Sequence, residues 1–318
     1  METKHHIKVE DSREIEFPEV ELVVTSPPYP MVEMWDDLFD VEGSPREQFT
    51  EMHHQLNEVW GKLDDCVVEG GYVCINIGNA TRSMNGEFQL FNNASYISSY
   101  MTTMDFVQLP YIIWKKTTNS PNSFMGSGMS PPNQYITNEH EYILIFRKGG
   151  SLRNPETRHE SSYFFEERNE WFSETWFVKG ASQTGNAEYP LEIPYRLINM
   201  FSAYGDTVLD PFLGTGTTTL AAIASARNSI GYDIKMDIRE KFVEKLKLSK
   251  LQERQLKRVE QHQKIKSDVY KYESSVGRVS TKNQRDMVLY KPTKIEFSDK
   301  IEVQHEPIEC GNRGLLDY

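Results

Sequence analysis

An apolar run near the start of the chain ends in a hydroxyl group, two prolines and an aromatic ring. Residues 23–29 read Val-Val-Thr-Ser-Pro-Pro-Tyr. Proline cannot donate a hydrogen bond to a neighbouring strand and fixes its own φ, so the strand stops at Ser26 and continues as a rigid, extended turn. This turn gathers the Ser26 hydroxyl, the Pro27 carbonyl, Pro28 and the Tyr29 ring at the carboxyl end of a strand, where open α/β sheets bind ligands.

These groups suit the methylation of an aromatic amine. The lone pair of such an amine is delocalised into its ring, so acceptors aimed at the N–H bonds stabilise the charge that develops as the nitrogen attacks a methyl group. Ser26 Oγ and the Pro27 carbonyl can be those acceptors, and Tyr29 can stack on a base turned out of a duplex. Proton loss can follow the transfer, so no strongly basic residue is required. The alternative is a Pro-Pro turn that only ends a strand.

A second segment combines a carboxylate with a glycine-containing loop. Residues 205–218 read Gly-Asp-Thr-Val-Leu-Asp-Pro-Phe-Leu-Gly-Thr-Gly-Thr-Thr, which predicts a strand, a loop and the start of a helix. Gly214 and Gly216 would let a ligand approach the backbone closely. Thr217 or Thr218 could cap the helix. No lysine follows the second glycine and the third glycine of a dinucleotide fingerprint is missing, so a phosphate site is disfavoured.

The acids of this region favour a cationic, nucleoside-like ligand. Asp210 ends the strand and could face the ammonium group of S-adenosyl-L-methionine, with Phe212 in the same loop as a second cofactor contact. Asp233 ends the next strand about twenty residues further on, where a carboxylate can bind ribose hydroxyls. The alternatives are a generic nucleotide site and a purely structural loop.

Together the two motifs resemble those of the DNA amino-methyltransferases of the β type. In that family the catalytic motif precedes the cofactor motif, a permuted order that Ser26–Tyr29 and Asp210–Gly216 share. Residues 9–12 are similar to a family turn whose acid approaches the adenine of the cofactor, which implies this role for Asp11. Glu10 replaces the glycine of that turn. The resemblance covers roughly residues 5–235.

The resemblance implies S-adenosyl-L-methionine as the cofactor and double-stranded DNA as the substrate. It also implies base flipping followed by direct in-line methyl transfer, without a covalent enzyme intermediate. Ser-Pro-Pro-Tyr is similar to the motif of the cytosine-N4 type, so we expect methylation of cytosine N4. Adenine N6, an RNA substrate and an inactive DNA-binding relative are the alternatives. The implied protein partner is a cognate restriction endonuclease that acts on the same site.

The elements that must position these motifs alternate along the chain. Short apolar runs predict strands buried on both faces of a mainly parallel sheet, with helices between them. We expect an α/β fold, namely a Rossmann-like methyltransferase sheet of about seven strands with helices on both faces. The predicted strands are Ile7–Val9, Val20–Thr25, Tyr72–Ile77, Val107–Trp114, Tyr142–Phe146, Thr207–Leu209 and Ser229–Tyr232. The predicted helices are Pro45–Leu63, Ala94–Thr103, Ile193–Tyr204, Thr217–Ala226 and Lys235–Lys264.

Three segments fall outside this alternation. We expect residues 1–270 to form the catalytic domain, with an inserted target-recognition segment at residues 149–180. The loop at residues 117–138, rich in Ser, Asn, Gly and Pro, is a second candidate for base recognition. Residues 271–318 form a C-terminal extension without an assigned role, with a strand pair predicted around Lys294–Val303. Four aromatic residues of the inserted segment could stack on a base, although core packing is favoured: Trp171, Phe172, Trp176 and Phe177.

Charge is distributed unevenly along the chain. The net charge is −12, and residues 1–65 alone hold five Lys or Arg against seventeen Asp or Glu. Residues 235–271 hold twelve basic and six acidic residues. An acidic total can therefore coexist with a basic face for nucleic acid. The alternative is a solvated helix whose charges pair with one another.

Composition excludes several classes of protein. The chain is 38% hydrophobic and 26% charged, which favours a packed domain over a disordered one. No apolar run reaches the length of a membrane helix and no apolar signal segment begins the chain, so we expect a cytoplasmic protein without membrane contact. His53 and His54 are adjacent, point in different directions on a helix and have no third ligand nearby, so no metal is expected.

Overall fold

The computed structural model describes the residues that carry both motifs. It covers residues 2–117, 131–180, 189–260 and the backbone of 291–299, except 85, 133, 137, 159, 160, 162, 164, 248, 249, 252, 255 and 259. The strands are β1 (Glu2–Val9), β2 (Val20–Thr25), β3 (Val67–Ile77), β4 (Ala80–Met84), β5 (Glu87–Phe91), β6 (Phe106–Thr117), β7 (His140–Lys148), β8 (Thr175–Lys179), β9 (Thr207–Asp210), β10 (Asn228–Asp233) and β11 (Lys291–Asp299). The helices are α1 (Asp36–Phe39), α2 (Pro45–Cys66), α3 (Asn93–Met101), α4 (Phe165–Trp171), α5 (Glu192–Phe201), α6 (Thr217–Ala224) and α7 (Ile238–Lys245). The described residues between 250 and 260 are also helical.

Helix α2 begins at a capping box that the sequence encodes. The Glu47 carboxylate accepts a hydrogen bond from the Ser44 backbone N–H at 2.9 Å, and the Ser44 hydroxyl accepts one from the Glu47 N–H at 3.4 Å. Pro45 follows as the first helical residue, where no intrahelical N–H bond is needed. The buried side of the helix carries Met52, His53, Leu56, Val59, Trp60, Leu63 and Cys66. This side packs on the sheet and forms one wall of the site described below.

Nine of the described strands form one sheet. Their order is β11-β1-β10-β9-β2-β3-β7-β6-β8. The strands from β11 to β3 are parallel to one another, and β8 is parallel to β6. Strand β7 lies antiparallel between β3 and β6. The expected mainly parallel α/β sheet is confirmed, and it places β2 next to β9 although most of the chain separates them.

Helices cover both faces of the sheet, as predicted. Successive residues of a strand point to opposite faces, and β2 illustrates the consequence. Leu22 and Val24 pack with residues of α5 and α6 in one apolar cluster, whereas Val23 packs with residues of α2 and α3 in another. A strand buried on both sides must be apolar at consecutive positions, which is why Val20–Thr25 lacks a polar-apolar alternation.

The seven predicted strands form the interior of the sheet, and two further strands extend its edges. Strand β8 belongs to the 149–180 segment and pairs with β6. Strand β11 lies in the predicted C-terminal extension and pairs with β1 along its length. The strand pair expected around Lys294–Val303 therefore takes another form, since β11 joins the main sheet. Residues from 300 onward lie outside the described part.

The single helix predicted over Lys235–Lys264 is wrong. Helix α7 ends at Lys245, and the next residue, Leu246, leaves the helical conformation with φ −69° and ψ 88°. The later helical residues pack against other elements instead of continuing into solvent. Arg254 forms an ion pair with Glu192 of α5, and Arg258 forms one with Glu167 of α4. Part of the basic stretch is therefore used inside the fold. The alternative of charges that pair with one another fits Lys241 with Asp237 and Lys257 with Glu253.

Two further observations complete the fold. Strands β4 and β5 form a separate antiparallel hairpin that the sequence interpretation did not include. Most of the 117–138 loop lies outside the described residues. None of the helices in the described part combines the length and the apolar character needed to cross a bilayer.

Candidate active site

The two motifs meet at one edge of the sheet. Because β2 and β9 are parallel neighbours, their carboxyl ends and the loops that follow them lie side by side. A hydrogen bond joins the strand ends directly, since the Thr25 hydroxyl donates to Oδ1 of Asp210 at 2.7 Å. The turn that starts at Ser26 and the loop that starts at Pro211 therefore belong to one site.

A cavity of about 880 Å³ opens between these loops. Its volume is in the range of pockets that enclose small molecules and cofactors. Leu56 and Val59 of α2, with Trp35 and Phe39, give it an apolar wall. Of the eleven predicted site residues, nine line the cavity: Asp11, Ser26, Pro27, Pro28, Tyr29, Phe212, Gly214, Thr217 and Asp233. The other two, Asp210 and Gly216, do not line it.

A hydrogen-bond network holds the turn from Ser26 to Tyr29. Tyr29 Oη donates to Oε2 of Glu141 at 2.8 Å and lies 3.1 Å from Ser26 Oγ. Asn76 Nδ2 donates to the same Glu141 oxygen at 2.6 Å and to Tyr29 Oη at 2.8 Å. Lys116 forms an ion pair with Oε1 of Glu141. Burial and the charge of Glu141 raise the pKa of Tyr29 well above its usual value, so Tyr29 keeps its proton.

Sequence reasoning missed Asn76 and Glu141. Both lie in strands that it located, β3 and β7, and both are polar residues in or beside apolar runs. A polar side chain in a buried strand must find a hydrogen-bond partner, and this is the signal that could have singled them out. Their partner could not be identified from the sequence, because it depends on β2, β3 and β7 being neighbours in the sheet.

Asp210 is placed differently from the prediction. Its side chain is buried, and its oxygens accept hydrogen bonds from the Thr25 and Thr218 hydroxyls and from the Phe212 backbone N–H. Burial raises the pKa of Asp210 to about 6, while these hydrogen bonds favour the charged form and limit the rise. Asp210 does not line the cavity and both of its oxygens are engaged by neighbouring groups, so its contact with an ammonium group stays a prediction. The carboxylate ties β2, the glycine-containing loop and α6 together.

The two loop glycines face different surroundings. Gly214 has φ 57° and lines the cavity, and a Cβ atom built there meets no other atom within 4 Å. Gly216 has φ 84°, and a Cβ atom there would lie 2.3 Å from Cδ2 of Phe242. Both positions adopt the left-handed conformation that favours glycine. Only Gly214 fits the predicted close approach of a ligand, whereas Gly216 is needed for packing against α7.

Helix α6 begins at the cavity without a side-chain cap. Gly216 is the N-cap residue, Thr217 is the first helical residue, and no side chain caps this end. The predicted capping by Thr217 or Thr218 is therefore wrong. The Thr218 hydroxyl donates to Asp210 instead. Uncapped N–H groups at a helix start carry a partial positive charge, which favours a bound carboxylate.

Two acids stand at the part of the cavity formed by β1 and β10. Asp233 accepts hydrogen bonds from the backbone N–H groups of Gly214 and Lys235, each at 2.8 Å. Burial raises the pKa of Asp233. Asp11 holds the Arg13 guanidinium through two oxygens, at 3.1 Å and 2.7 Å. Both carboxylates line the cavity, so both can meet the polar groups of a nucleoside.

The aromatic residues of the 149–180 segment divide between the core and the surface. Trp171 and Trp176 are 4% and 1% exposed, which agrees with the favoured core interpretation. Phe172 is 45% exposed and Phe177 is 68% exposed. Of these four residues, only Phe177 lines the cavity.

The adjacent histidines do not form a metal site with any described residue. His53 is buried, lies 3.0 Å from Asn93 Oδ1 through Nε2 and stacks on Tyr96. Burial lowers the pKa of His53 to about 4, so the ring is neutral near pH 7. Within the described ranges no group of three His, Cys, Asp or Glu side chains is arranged to hold a metal ion.

Known proteins are similar to this chain in sequence and in fold. Residues 20–245 match the family described as DNA methylase. The type II methyltransferase M.MthZI of Methanothermobacter thermautotrophicus is 43% identical over 328 aligned positions, covering 92% of this chain and 92% of the relative. The type II methyltransferase M.MjaI of Methanocaldococcus jannaschii is 48% identical, covering 77% of this chain and 91% of the relative.

Solved structures show the same architecture. A protein of Thermus thermophilus, TTHA0409, described as a putative DNA modification methylase and solved in complex with S-adenosyl-L-methionine, matches with a TM-score of 0.64 and 31% identity. The match covers 79% of this chain and 96% of that one. The cytosine-N4-specific PvuII DNA methyltransferase matches with a TM-score of 0.59 over 80% of this chain and 92% of that one, at 15% identity, which shows a common fold.

Proposed function

The chain belongs to the DNA methylase family, and from this premise we propose that it transfers a methyl group from S-adenosyl-L-methionine to the exocyclic N4 amine of cytosine in double-stranded DNA. The observation that carries the proposal is the shared cavity. Ser26, Pro27 and Tyr29 line it from one side, and Gly214, Thr217 and Asp233 line it from the other. An amine-binding turn and a cofactor loop thus open into one space.

The residues present fit the cofactor. The uncapped start of α6 at Thr217 would hold its carboxylate, and Asp233 would accept hydrogen bonds from its ribose hydroxyls. Asp11 and Phe212 would lie along its nucleoside, and Gly214 would let it approach the backbone. Asp210 would act indirectly by fixing the loop. The bound cofactor supplies an electrophilic methyl group on a sulfonium centre.

The turn at Ser26 would activate the amine. Ser26 Oγ and the Pro27 carbonyl are acceptors placed at the cavity, where they can take the N–H bonds of the amine and stabilise its developing charge. The Tyr29 ring is held by Glu141 and offers a face to a flipped base. The serine in the first position of this motif is the feature that favours cytosine over adenine.

Two further parts of the proposal concern the partners. Residues 149–180 would read the target sequence from their exposed side, because Trp171 and Trp176 anchor the segment in the core and Phe177 reaches the cavity. The loop at residues 117–138 would contribute to the same task.

The relatives are named type II methyltransferases, and we propose a restriction endonuclease of the same specificity as the functional partner.

Nucleoside analysis tests this proposal. The purified protein is incubated with methyl-labelled S-adenosyl-L-methionine and unmethylated genomic DNA, and the digested nucleosides are identified by mass spectrometry. Labelled N4-methylcytosine is the expected product. Labelled N6-methyladenine would overturn the choice of base and keep the reaction. The absence of label from the DNA would contradict the proposed substrate, whether or not a parallel reaction labels RNA.

The variant Ser26→Ala tests the role of the turn. Loss of one preorganised acceptor should lower the methylation rate by about 100-fold to 1,000-fold. Binding of S-adenosyl-L-methionine, measured by calorimetry, should stay unchanged because the cofactor contacts lie in the other loop. If the protein were an inactive DNA-binding relative, wild type and variant would be equally without activity and would bind DNA equally well.

A further inference from the structure

The amine-binding turn is connected to a carboxylate that the proposed methyl transfer does not use. From the cavity inward, Ser26 Oγ lies 3.1 Å from Tyr29 Oη, which donates to Glu141 Oε2 at 2.8 Å. Glu141 is 6% exposed and is paired with Lys116. A continuous line of hydrogen bonds thus leads from the position of the target amine to a buried negative charge.

The carboxylate sets the direction of every bond in this line. An ionised carboxylate can only accept, so Tyr29 must donate to Glu141. Asn76 also presents its amide N–H groups, because Nδ2 donates to Glu141 Oε2, to Tyr29 Oη and, at 3.4 Å, to Ser26 Oγ. Asn76 Oδ1 has no hydrogen-bond partner among the described residues. Tyr29 Oη can then accept from Ser26. One lone pair of Ser26 Oγ faces Asn76 Nδ2 at 3.4 Å, and the other remains available to an amine.

We propose that Ser26, Tyr29 and Glu141 form a proton relay that removes the amine proton during methyl transfer, with Glu141 as the terminal acceptor. The inference rests on the proposed methylation of an exocyclic amine. It applies to either base, because cytosine N4 and adenine N6 both carry a proton that must leave.

The step balances in atoms and charge. The N–C bond to the methyl group forms while the S–C bond breaks and its electron pair stays on sulfur. The amine proton moves to Ser26 Oγ, the Ser26 proton moves to Tyr29 Oη, and the Tyr29 proton moves to Glu141 Oε2. Both hydroxyls end as they began. The positive charge of the sulfonium and the negative charge of Glu141 disappear together, so no net charge is created in the buried site.

The surroundings suit a temporary proton acceptor. Glu141 and Lys116 both line the cavity, so the proton on Glu141 can pass to water once the product leaves. Asn76 acts as a positioning residue, because its N–H groups hold Tyr29 Oη and Glu141 Oε2 in contact. The relay consists of Ser26, Tyr29 and Glu141, which lie at the ends of two strands. A change in any one of these residues should interrupt the same proton transfer.

A double-mutant cycle tests the relay. The variants are Tyr29→Phe, which keeps the stacking ring, Glu141→Gln, which keeps the size of the side chain, and both together. Single-turnover methyl transfer is measured on a duplex that contains the recognition site, found by sequencing DNA that the wild type has methylated. Each single change should slow transfer by about 100-fold. The double variant should be no slower than the single ones, because a broken relay cannot be broken again.

Two other measurements separate a relay from a structural role. Wild-type transfer should be slower in D₂O than in H₂O, and the two single variants should lose this difference. Cofactor binding by calorimetry should be unchanged in all variants. The control is Tyr142→Phe, which removes a tyrosine hydroxyl next to Glu141 in the same strand and should behave as wild type.

The outcomes distinguish this inference from the function on which it rests. A wild type that methylates no amine overturns both. Three results with an active wild type would overturn the relay alone. The first is that Glu141→Gln transfers methyl groups at the wild-type rate, and the second is that the rate losses of the two single variants multiply in the double variant. The third is that the single variants keep the solvent isotope effect of the wild type. Matching losses without further loss in the double variant support it.

Discussion

The variant Gly216→Ala should destabilise the protein more than Gly214→Ala. At Gly216 the added Cβ atom would lie 2.3 Å from the Phe242 ring, which is fully buried and cannot move aside freely. The left-handed backbone costs a non-glycine residue about 1–2 kcal/mol, and overpacking a closed core costs about 1–3 kcal/mol more. The free energy of unfolding should therefore fall by about 2–5 kcal/mol, as measured by urea denaturation.

The matched variant is Gly214→Ala, in the same loop and with φ also positive. No atom lies within 4 Å of its added Cβ, so only the backbone cost of about 1–2 kcal/mol applies. Because Gly214 lines the cavity that we propose to hold the cofactor, Gly214→Ala should weaken cofactor binding measured by calorimetry. Equal destabilisation by the two variants, or a loss of cofactor affinity confined to Gly216→Ala, would refute the assignment of one glycine to packing and the other to the ligand.

Two further predictions follow from buried charges. The pKa of Asp210 is raised to about 6 by burial, so the folded state holds this proton more tightly than the unfolded chain; its contribution to stability is present at low pH and is lost as the pH rises from about 4 to about 6. The measured quantity is the free energy of unfolding of the wild type minus that of Asp210→Asn, both from urea denaturation. This difference should fall across that pH window by an amount of the order of 1.4 kcal/mol per pH unit and then stay constant. A difference that does not change with pH would contradict the raised pKa of Asp210. Glu167→Ala should lower the free energy of unfolding by about 3 kcal/mol, because it removes the carboxylate partner of the Arg258 guanidinium, whose side chain is only 10% exposed. The control Glu253→Ala, in the exposed pair with Lys257, should leave the urea midpoint unchanged, and equal shifts for both variants would contradict the prediction.

Local sequence was sufficient to locate the strands and loops that carry the chemistry. Two prolines after a buried strand require a turn, and a strand that ends in Asp210 before Gly214 requires a loop. These rules act over a few residues, so they hold whatever the rest of the chain does. For the same reason the seven interior strands and their burial on both faces could be predicted from apolar runs alone.

The roles of individual side chains needed the fold. Asp210 was expected to face the ligand, but its partners Thr25 and Thr218 arrive from another strand and from a helix. Glu141 and Asn76 reach Tyr29 only because β7, β3 and β2 are neighbours in the sheet. A residue's type indicates that it needs a partner, and the topology decides which partner it receives.

One omission had a local signal. The hairpin of β4 and β5 pairs Met84 with Glu87, and the sequence between these two residues is Asn-Gly, the strongest short-range indication of a hairpin. The edge strands β8 and β11 had no such signal. Strand β8 reads Thr-Trp-Phe-Val-Lys, a run of β-favouring residues that the sequence interpretation did not use. Strand β11 mixes a proline and charged residues with few apolar ones, and it is a strand through its pairing with β1.

The hydrogen bond between Thr25 and Asp210 joins residues 185 positions apart, and this separation determines when the site can exist during synthesis. At about 5–20 residues per second, the ribosome needs roughly 10–40 s to extend the chain from one partner to the other. During this interval β2 can pair with β3, but its other edge has no neighbour. The nascent protein therefore carries the Ser26–Tyr29 turn without the loop at Gly214, and the two halves of the proposed site meet late, when most of the chain has already been made.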